Sequence, residues 1–335
     1  MNPLVFSYGI ISFIVVLFLT PWVIRYLRRI GLTVKDLNKE NTPLVPISGG
    51  LAVLAGIFAG LLLFIFIRTF LVKEGVGLAL NEKNLMLLFA SMVSLLIITL
   101  IGFLDDLVIE KSKEKSMGLK QWQKPLLTLA AAVPLMVVNA GDTEIWLPLI
   151  GSINIGIIYP LIIIPIGVMG ASNMVNMLAG FNGMEAGMGI IYTGMLGLYA
   201  YTNNSYVAAL IALVAFFSLI AFYYYNKVPA KILAGDSLTY LLGAIIAIIA
   251  IVGNMEKAAL ISSIPFLVEF ILKSRSRFNA QTYGYCKKGK IYSHHGKNIY
   301  SIPHILTRTG KFTEKQIVYS MIIIQLVFSS LIWLF

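Results

Sequence analysis

Residues 84–106 read NLMLLFASMVSLLIITLIGFLDD, which is 21 residues without a charge closed by Asp105 and Asp106. An α-helix rises about 1.5 Å per residue, so roughly 20 such residues cross a hydrocarbon core of about 30 Å. The stretch lacks the apolar–polar alternation of a half-buried strand. It reads as a membrane-spanning helix that carries two carboxylates to the edge of the bilayer.

The rest of the chain follows the same pattern. Of 335 residues, 58% are hydrophobic and only 12% are charged, and the mean hydropathy is +0.85. A soluble domain carries roughly a quarter charged residues, so this chain cannot cover a water-facing surface. Disorder, a disulfide scaffold and an ordinary cytosolic enzyme are excluded. The single cysteine, Cys286, has no partner for an intramolecular disulfide. Ten apolar runs are candidate spans: 3–24, 49–70, 84–104, 125–140, 154–172, 186–202, 205–223, 237–253, 257–272 and 316–335. The fourth is short and contains Pro134. The first lacks a basic leader, so it is expected to be an anchor and not a cleaved signal. The absence of strand alternation argues against a β-barrel.

Charge sets the expected orientation. The chain holds 26 Lys and Arg against 15 Asp and Glu, a formal net charge of +11. With the N-terminus outside, 22 of the 26 basic residues fall on loops after odd-numbered spans, namely 25–48, 105–124, 224–236 and 273–315. Arg68, Lys73, Lys83 and Lys257 are the remaining four. Basic loops mark the cytoplasmic side. The expected fold is therefore an all-α polytopic membrane protein of about ten transmembrane helices. Both termini lie outside, and 1–335 forms a single domain with a long cytoplasmic loop over 273–315.

Polar residues at the ends of apolar runs are the functional signal. Asp105 and Asp106 close one run, Asp236 opens another, and Asn173, Asn176, Asn182 and Glu185 lie in SNMVNMLAGFNGME. Each has a bland explanation. Asp236 could cap its helix, the aspartate pair could be a solvated helix end, and the Asn/Gly stretch could be a turn. Gly56/Gly60 and Gly183/Gly187 fit helix packing better than chemistry. Three clusters on one face, beside a basic loop with His294 and His295, are more than capping requires. Carboxylate and amide oxygens without thiolates suit Mg²⁺, which binds through one or two protein oxygens and substrate phosphates. Lys120, Lys124, Lys227, Lys231 and the Arg/His-bearing loop could neutralise a pyrophosphate. That combination serves phosphoryl transfer, and the membrane suggests a lipid substrate. No P-loop or dinucleotide fingerprint is present.

These residues resemble the polyprenyl-phosphate N-acetylhexosamine-1-phosphate transferase family (glycosyltransferase 4 family) along nearly the whole chain. The resemblance rests on DLNK at 36–39 followed by PISGG at 46–50, GFLDD at 102–106, NMLAGFNGMEAG at 176–187 and AGDS at 234–237. The third motif is similar to the branch that makes dolichyl-diphosphate N-acetylglucosamine; the branch acting on UDP-MurNAc-pentapeptide has acidic residues there. The resemblance implies ten helices and an Mg²⁺-dependent site (with Mn²⁺ as a substitute) facing the cytoplasm. By resemblance, Asn176 and Asp236 hold the metal. Gly180 and Asn182 contact uracil, Leu233 covers the base and Glu185 supports the pocket. Asp105, Asp106 and Lys124 are catalytic, with Lys120 a competitor for Lys124 and Trp122 flanking the sugar. The last loop departs from the family's His- or Arg-rich motif. His294 and His295, with His304 further on, or Arg275 and Arg277, stand nearest to it.

The implied activity is transfer of GlcNAc-1-phosphate from UDP-GlcNAc to dolichyl or another polyprenyl phosphate, with UMP released. The alternatives are the same chemistry with another UDP-sugar, including a MurNAc-pentapeptide donor, and a secondary transporter of a phosphorylated anion. Expected partners are the two substrates, the bilayer and a second copy in a homodimer, with no nucleic acid. An archaeal cell membrane is favoured over the endoplasmic reticulum.

Overall fold

The computed structural model describes residues 3–71, 81–108, 118–147 and 151–334. Helices α1 (Pro3–Arg29), α2 (Gly50–Phe66) and α3 (Glu82–Val108) come first. A broken segment follows, made of α4 (Gln123–Thr128) and α5 (Val133–Val137). Then come α6 (Ile164–Met177), α7 (Met184–Thr202), α8 (Tyr206–Asn226) and α9 (Gly235–Gly253). A second broken segment, α10 (Glu256–Ser262) and α11 (Ile264–Ser274), precedes the short α12 (His304–Thr307) and the long α13 (Glu314–Ser330). The breaks have a local cause. Pro134 and Pro265 each lie in the first two residues of a new helix, where a missing N–H costs nothing but a preceding turn cannot continue.

Seven helices among the described residues are long and apolar enough to cross a membrane. The chain is thus a polytopic, mostly helical membrane protein. The all-α expectation needs one correction, because three antiparallel hairpins lie between helices. They are β1 (Thr33–Lys35) with β2 (Leu44–Pro46), β3 (Glu144–Leu147) with β4 (Gly151–Asn154), and β5 (Gly284–Lys287) with β6 (Lys290–Ser293). Each strand is at most four residues long, too short for periodicity to show in the sequence.

The centre of the molecule is α9, with 83% of its apolar window buried against 33% for α1. It packs on α3, α6, α8 and α2. Close approach depends on small residues, as expected where lipid removes any hydrophobic preference for a protein partner. A Cβ at Gly243 would stand 2.3 Å from the Ala171 carbonyl oxygen, and one at Gly60 would stand 2.1 Å from Ser12 Oγ. The Gly56/Gly60 pair thus serves helix packing.

The loops holding most of the basic residues converge at one end. Asn38 Nδ2 donates to the Gly180 carbonyl at 2.7 Å, and the Gly284 N–H donates to Asn38 Oδ1 at 3.4 Å. Leu233 N donates to the Pro46 carbonyl at 2.8 Å. Gln121 Nε2 donates to the Phe278 carbonyl at 2.9 Å.

Candidate active site

At that end, the C-terminus of α3 meets the N-terminus of α9. Gly102 allows the contact, since a Cβ there would lie 2.4 Å from the Asp236 carbonyl oxygen. Asp106 is fully buried. Its Oδ1 accepts the Asp236 N–H at 2.8 Å, and its Oδ2 accepts the Ser237 N–H at 3.2 Å and the Ser48 hydroxyl at 2.7 Å. The first N–H groups of a helix have no partner within it and lie at the positive end of its dipole. Asp106 therefore caps α9 from a neighbouring helix. This corrects the reading of Asp236 as the cap: Ala234 holds the cap position without a side-chain bond, and the Asp236 carboxylate is released for other contacts. Gly235 makes the geometry possible with φ +69°, and its missing Cβ would sit 2.5 Å from Asp106 Oδ2.

The neighbouring carboxylate has different surroundings. Asp105 Oδ1 accepts the Leu119 N–H at 2.6 Å, and Oδ2 receives the Tyr240 hydroxyl at 3.2 Å. Lys124 Nζ lies 2.7 Å from Asp105 Oδ2 and 2.8 Å from Asp236 Oδ2. One ammonium is held between two carboxylates from different helices. Lys120 does not join them. It is exposed, and its backbone N–H donates to Gln123 Oε1 at 3.0 Å.

Lys124 and Asp236 face a cleft of about 460 Å³ whose walls also include Asn176, Asn182, Leu233 and Tyr283. Asn176 Oδ1 accepts the hydroxyl of Thr239, one turn beyond Asp236, at 2.9 Å. Asn182 is fixed twice, through Nδ2 to Asp36 Oδ2 at 2.8 Å and through its N–H to Glu314 Oε1 at 3.0 Å. Lys39 pairs with both Asp36 and Glu314. With one amide hydrogen donated to Asp36, Asn182 retains its second N–H and its carbonyl oxygen for a ligand. Glu185 Oε1 accepts the Gly180 N–H at 2.7 Å, which holds the turn before α7. Gly180 and Glu185 belong to the same cleft.

Other expected residues stand outside its walls. Trp122 is 65% exposed at the start of α4. Arg275, Arg277 and His294 are exposed, and Arg275 donates to the Ile299 carbonyl at 3.5 Å. His295 Nε2 accepts the Gln281 N–H at 3.2 Å. His304 is fully buried; its Nδ1 accepts the Tyr300 N–H at 3.2 Å, so Nε2 carries the proton and donates to the Gln281 carbonyl at 2.9 Å. The backbone N–H and carbonyl of Gln281 thus link the two imidazoles. Burial lowers the pKa of His295, and that of His304 to about 4, keeping both neutral. Tyr283 is the residue through which this loop reaches the cleft.

Sequence reasoning overlooked Thr239, Tyr240 and Glu314. Tyr240 stands one helical turn after Asp236, and Glu314 is masked by a capping box, with Thr313 and Gln316 bonding reciprocally across it. Asp36 and Asn38 lie in the DLNK stretch, where spacing alone assigns them no partner.

The donors around Lys124 fit Mg²⁺. Among the described residues no three His, Cys, Asp or Glu form a metal-binding group, and the oxygens present are those of Asp236, Asn176 and Asp105. Hard oxygens in small number match an ion that keeps waters and completes its shell with substrate phosphates. The Lys124 ammonium between two carboxylates shows that positive charge is favoured there.

The family model for glycosyl transferase family 4 matches residues 85–254. A protein of Saccharolobus solfataricus is 38% identical over 312 residues, covering 92% of this chain and 89% of its own. One of Sulfolobus acidocaldarius is 32% identical over 324 residues, covering 96% and 93%. Both carry the provisional name UDP-N-acetylglucosamine–dolichyl-phosphate N-acetylglucosaminephosphotransferase. The phospho-N-acetylmuramoyl-pentapeptide-transferase of Lactiplantibacillus plantarum is 32% identical over 278 residues, covering 80% and 82%. With the matched segment running from the start of α3 to the end of α9, and thus through Asp105, Lys124, Asn176 and Asp236, the chain belongs to glycosyl transferase family 4.

Proposed function

We propose that this protein transfers GlcNAc-1-phosphate from UDP-GlcNAc to dolichyl phosphate, giving dolichyl-diphosphate-GlcNAc and UMP. The observation that carries the reading is Lys124 clamped between Asp105 and Asp236 at the edge of a 460 Å³ cleft. Two archaeal relatives named for this reaction support it, with higher identity or wider coverage than the muramoyl-pentapeptide relative.

In this reaction an oxygen of the lipid phosphate attacks the sugar-bearing phosphorus of UDP-GlcNAc. The bond from that phosphorus to the bridging oxygen breaks, and UMP leaves with the bond's electrons. The lipid phosphate has a second pKa near 6, so it is already mostly dianionic at neutral pH. The barrier is the approach of one anion to another, which fixed positive charge lowers. Lys124 supplies that charge, Asp105 holds it in place, and Asp106 fixes the start of α9 that presents Asp236. Asn182 and Gly180 orient the uracil, Leu233 covers it, and Glu185 supports the turn. Asp236 and Asn176 would hold Mg²⁺, which when bound neutralises the diphosphate and stabilises the departing UMP.

The same proposal includes ten crossings with both termini outside. The broken α4–α5 and α10–α11 segments and α7 stand where the three additional apolar runs lie, and the basic loops share one end. A cell membrane is proposed as the site, supported by the archaeal relatives. The test is UMP release by detergent-solubilised protein given polyprenyl phosphate and a panel of UDP-sugars, with and without Mg²⁺. UMP formation with UDP-GlcNAc, dependent on lipid phosphate and abolished by chelator, is expected. Release only with UDP-MurNAc-pentapeptide would move the chain to the other branch, and no UMP with any donor would leave transport as the reading.

A further inference from the structure

A second cavity, of about 560 Å³, opens between α1, α2, α7 and α8. It lies at the opposite end from the active site. Gly50 at the start of α2 donates its N–H to Ser237 Oγ, whereas Arg68, which lines the cavity, follows 18 residues later, about 27 Å along the helix. On α8 the walls run from Tyr206 to Phe217, about 16 Å of helix, which is half of a hydrocarbon core of about 30 Å. The cavity therefore has the depth of one leaflet.

Its chemistry is equally specific. Arg68 is the only charged residue in the walls among the described residues, and the rest are apolar, aromatic or small apart from Thr193. Tyr8 is 1% exposed, and neither its hydroxyl nor Arg68 Nε has a hydrogen-bond partner among the described residues. The Tyr8 ring packs edge-on against Phe64, one turn below Arg68 on the same helix face. Two unmet donor atoms, both closed off from solvent, thus face one apolar cavity, and a buried N–H or O–H left without an acceptor is costly. Tyr201 and Tyr206 pair at the same end, at the level where aromatic rings border headgroups.

We propose that this cavity binds an anionic phospholipid of the leaflet opposite the active site. Its phosphate rests on Arg68, with the Tyr8 hydroxyl as a second donor below, and one hydrocarbon chain follows α8 down to Phe217. An anionic lipid is preferred over a zwitterionic one because, among the described residues, the walls hold no carboxylate for a headgroup ammonium.

Native mass spectrometry of the full chain in detergent, titrated with dioleoylphosphatidylglycerol against dioleoylphosphatidylcholine, reads the binding directly. Wild type should retain phosphatidylglycerol at least fivefold over phosphatidylcholine. Arg68→Gln should bring the ratio to within twofold of unity, and Leu213→Trp should remove retained lipid of both kinds by filling the cavity. Should Leu213→Trp fail to assemble, Leu198→Phe fills the same space more gently with the same expectation. UMP release by Arg68→Gln in saturating detergent should stay within twofold of wild type, which separates a lost lipid site from a lost fold. Equal retention of both lipids by wild type, or undiminished selectivity in Arg68→Gln, overturns the proposal.

Discussion

Three aspartates share one corner of the molecule, and their partners give them different roles. Asp106 accepts three hydrogen bonds and caps α9, whereas Asp236 caps nothing and faces Lys124 and the cleft. Asp236→Asn should lower UMP release at least 100-fold and leave the melting temperature nearly unchanged. Asp106→Asn should also lower the melting temperature by several degrees, because an amide cannot accept all three bonds and an unmet buried group costs about 1–3 kcal/mol. Thermal unfolding of the two variants in one detergent checks the contrast; equal melting losses would contradict the cap assignment. Asp105 touches Lys124, as an orienting group should. Asp105→Asn should therefore reduce turnover while keeping the acidic limb of its pH profile, which follows the lipid phosphate near pH 6. If Asp105 instead removes a proton, that limb disappears from the variant.

At the level of elements, the connection between α11 and α13 behaves as a built part of the site. Its hairpin and α12 are tied together by His295, Gln281 and His304, and Tyr283 projects to the cleft. Burial holds the His304 pKa at about 4, below its ordinary 6.5. The unfolded chain therefore binds a proton that the folded chain refuses, so this stability is present above about pH 6.5 and is lost as pH falls toward 4. Melting temperature should drop by several degrees across that window, and His304→Gln should flatten the slope. An unchanged slope in His304→Gln would place the acid sensitivity elsewhere. The start of α13 contributes Glu314, which together with Asp36 holds Asn182. Asn182→Ala should raise the KM for UDP-GlcNAc roughly tenfold, since a site built on hydrogen bonds tolerates their loss poorly, and change the lipid KM less than twofold. Equal changes in both constants would count against a uracil contact.

For the whole molecule, the basic loops, the cleft and the single cysteine lie at one end, which the proposed topology puts on one side of the membrane. Cys286 is half-buried in the β5–β6 hairpin and is the only cysteine of the chain. In proteoliposomes of mixed orientation, the fraction of Cys286 modified by a membrane-impermeant maleimide should equal the fraction of total turnover reached by externally added UDP-GlcNAc. Complementary fractions would place the hairpin and the donor site on opposite faces.

The sequence alone determined that the chain lives in a membrane, where its apolar runs lie and which loops share a face, because hydropathy and charge are properties of each segment regardless of its neighbours. It also brought Asp105, Asn176, Asn182 and Asp236 to attention, since polar groups at the ends of apolar helices stand out. Only the tertiary structure decided which partner each one has. Lys124 was chosen over Lys120 by α4 turning it toward α3 and α9, and the cap of α9 passed from Asp236 to Asp106 because Gly102 and Gly235 let two helices approach at the backbone. That Tyr8 and Arg68 line one cavity was equally invisible in one dimension. Contacts between residues tens to hundreds of positions apart depend on how helices pack, and packing is decided by the shapes of all the surfaces together and not by any one segment.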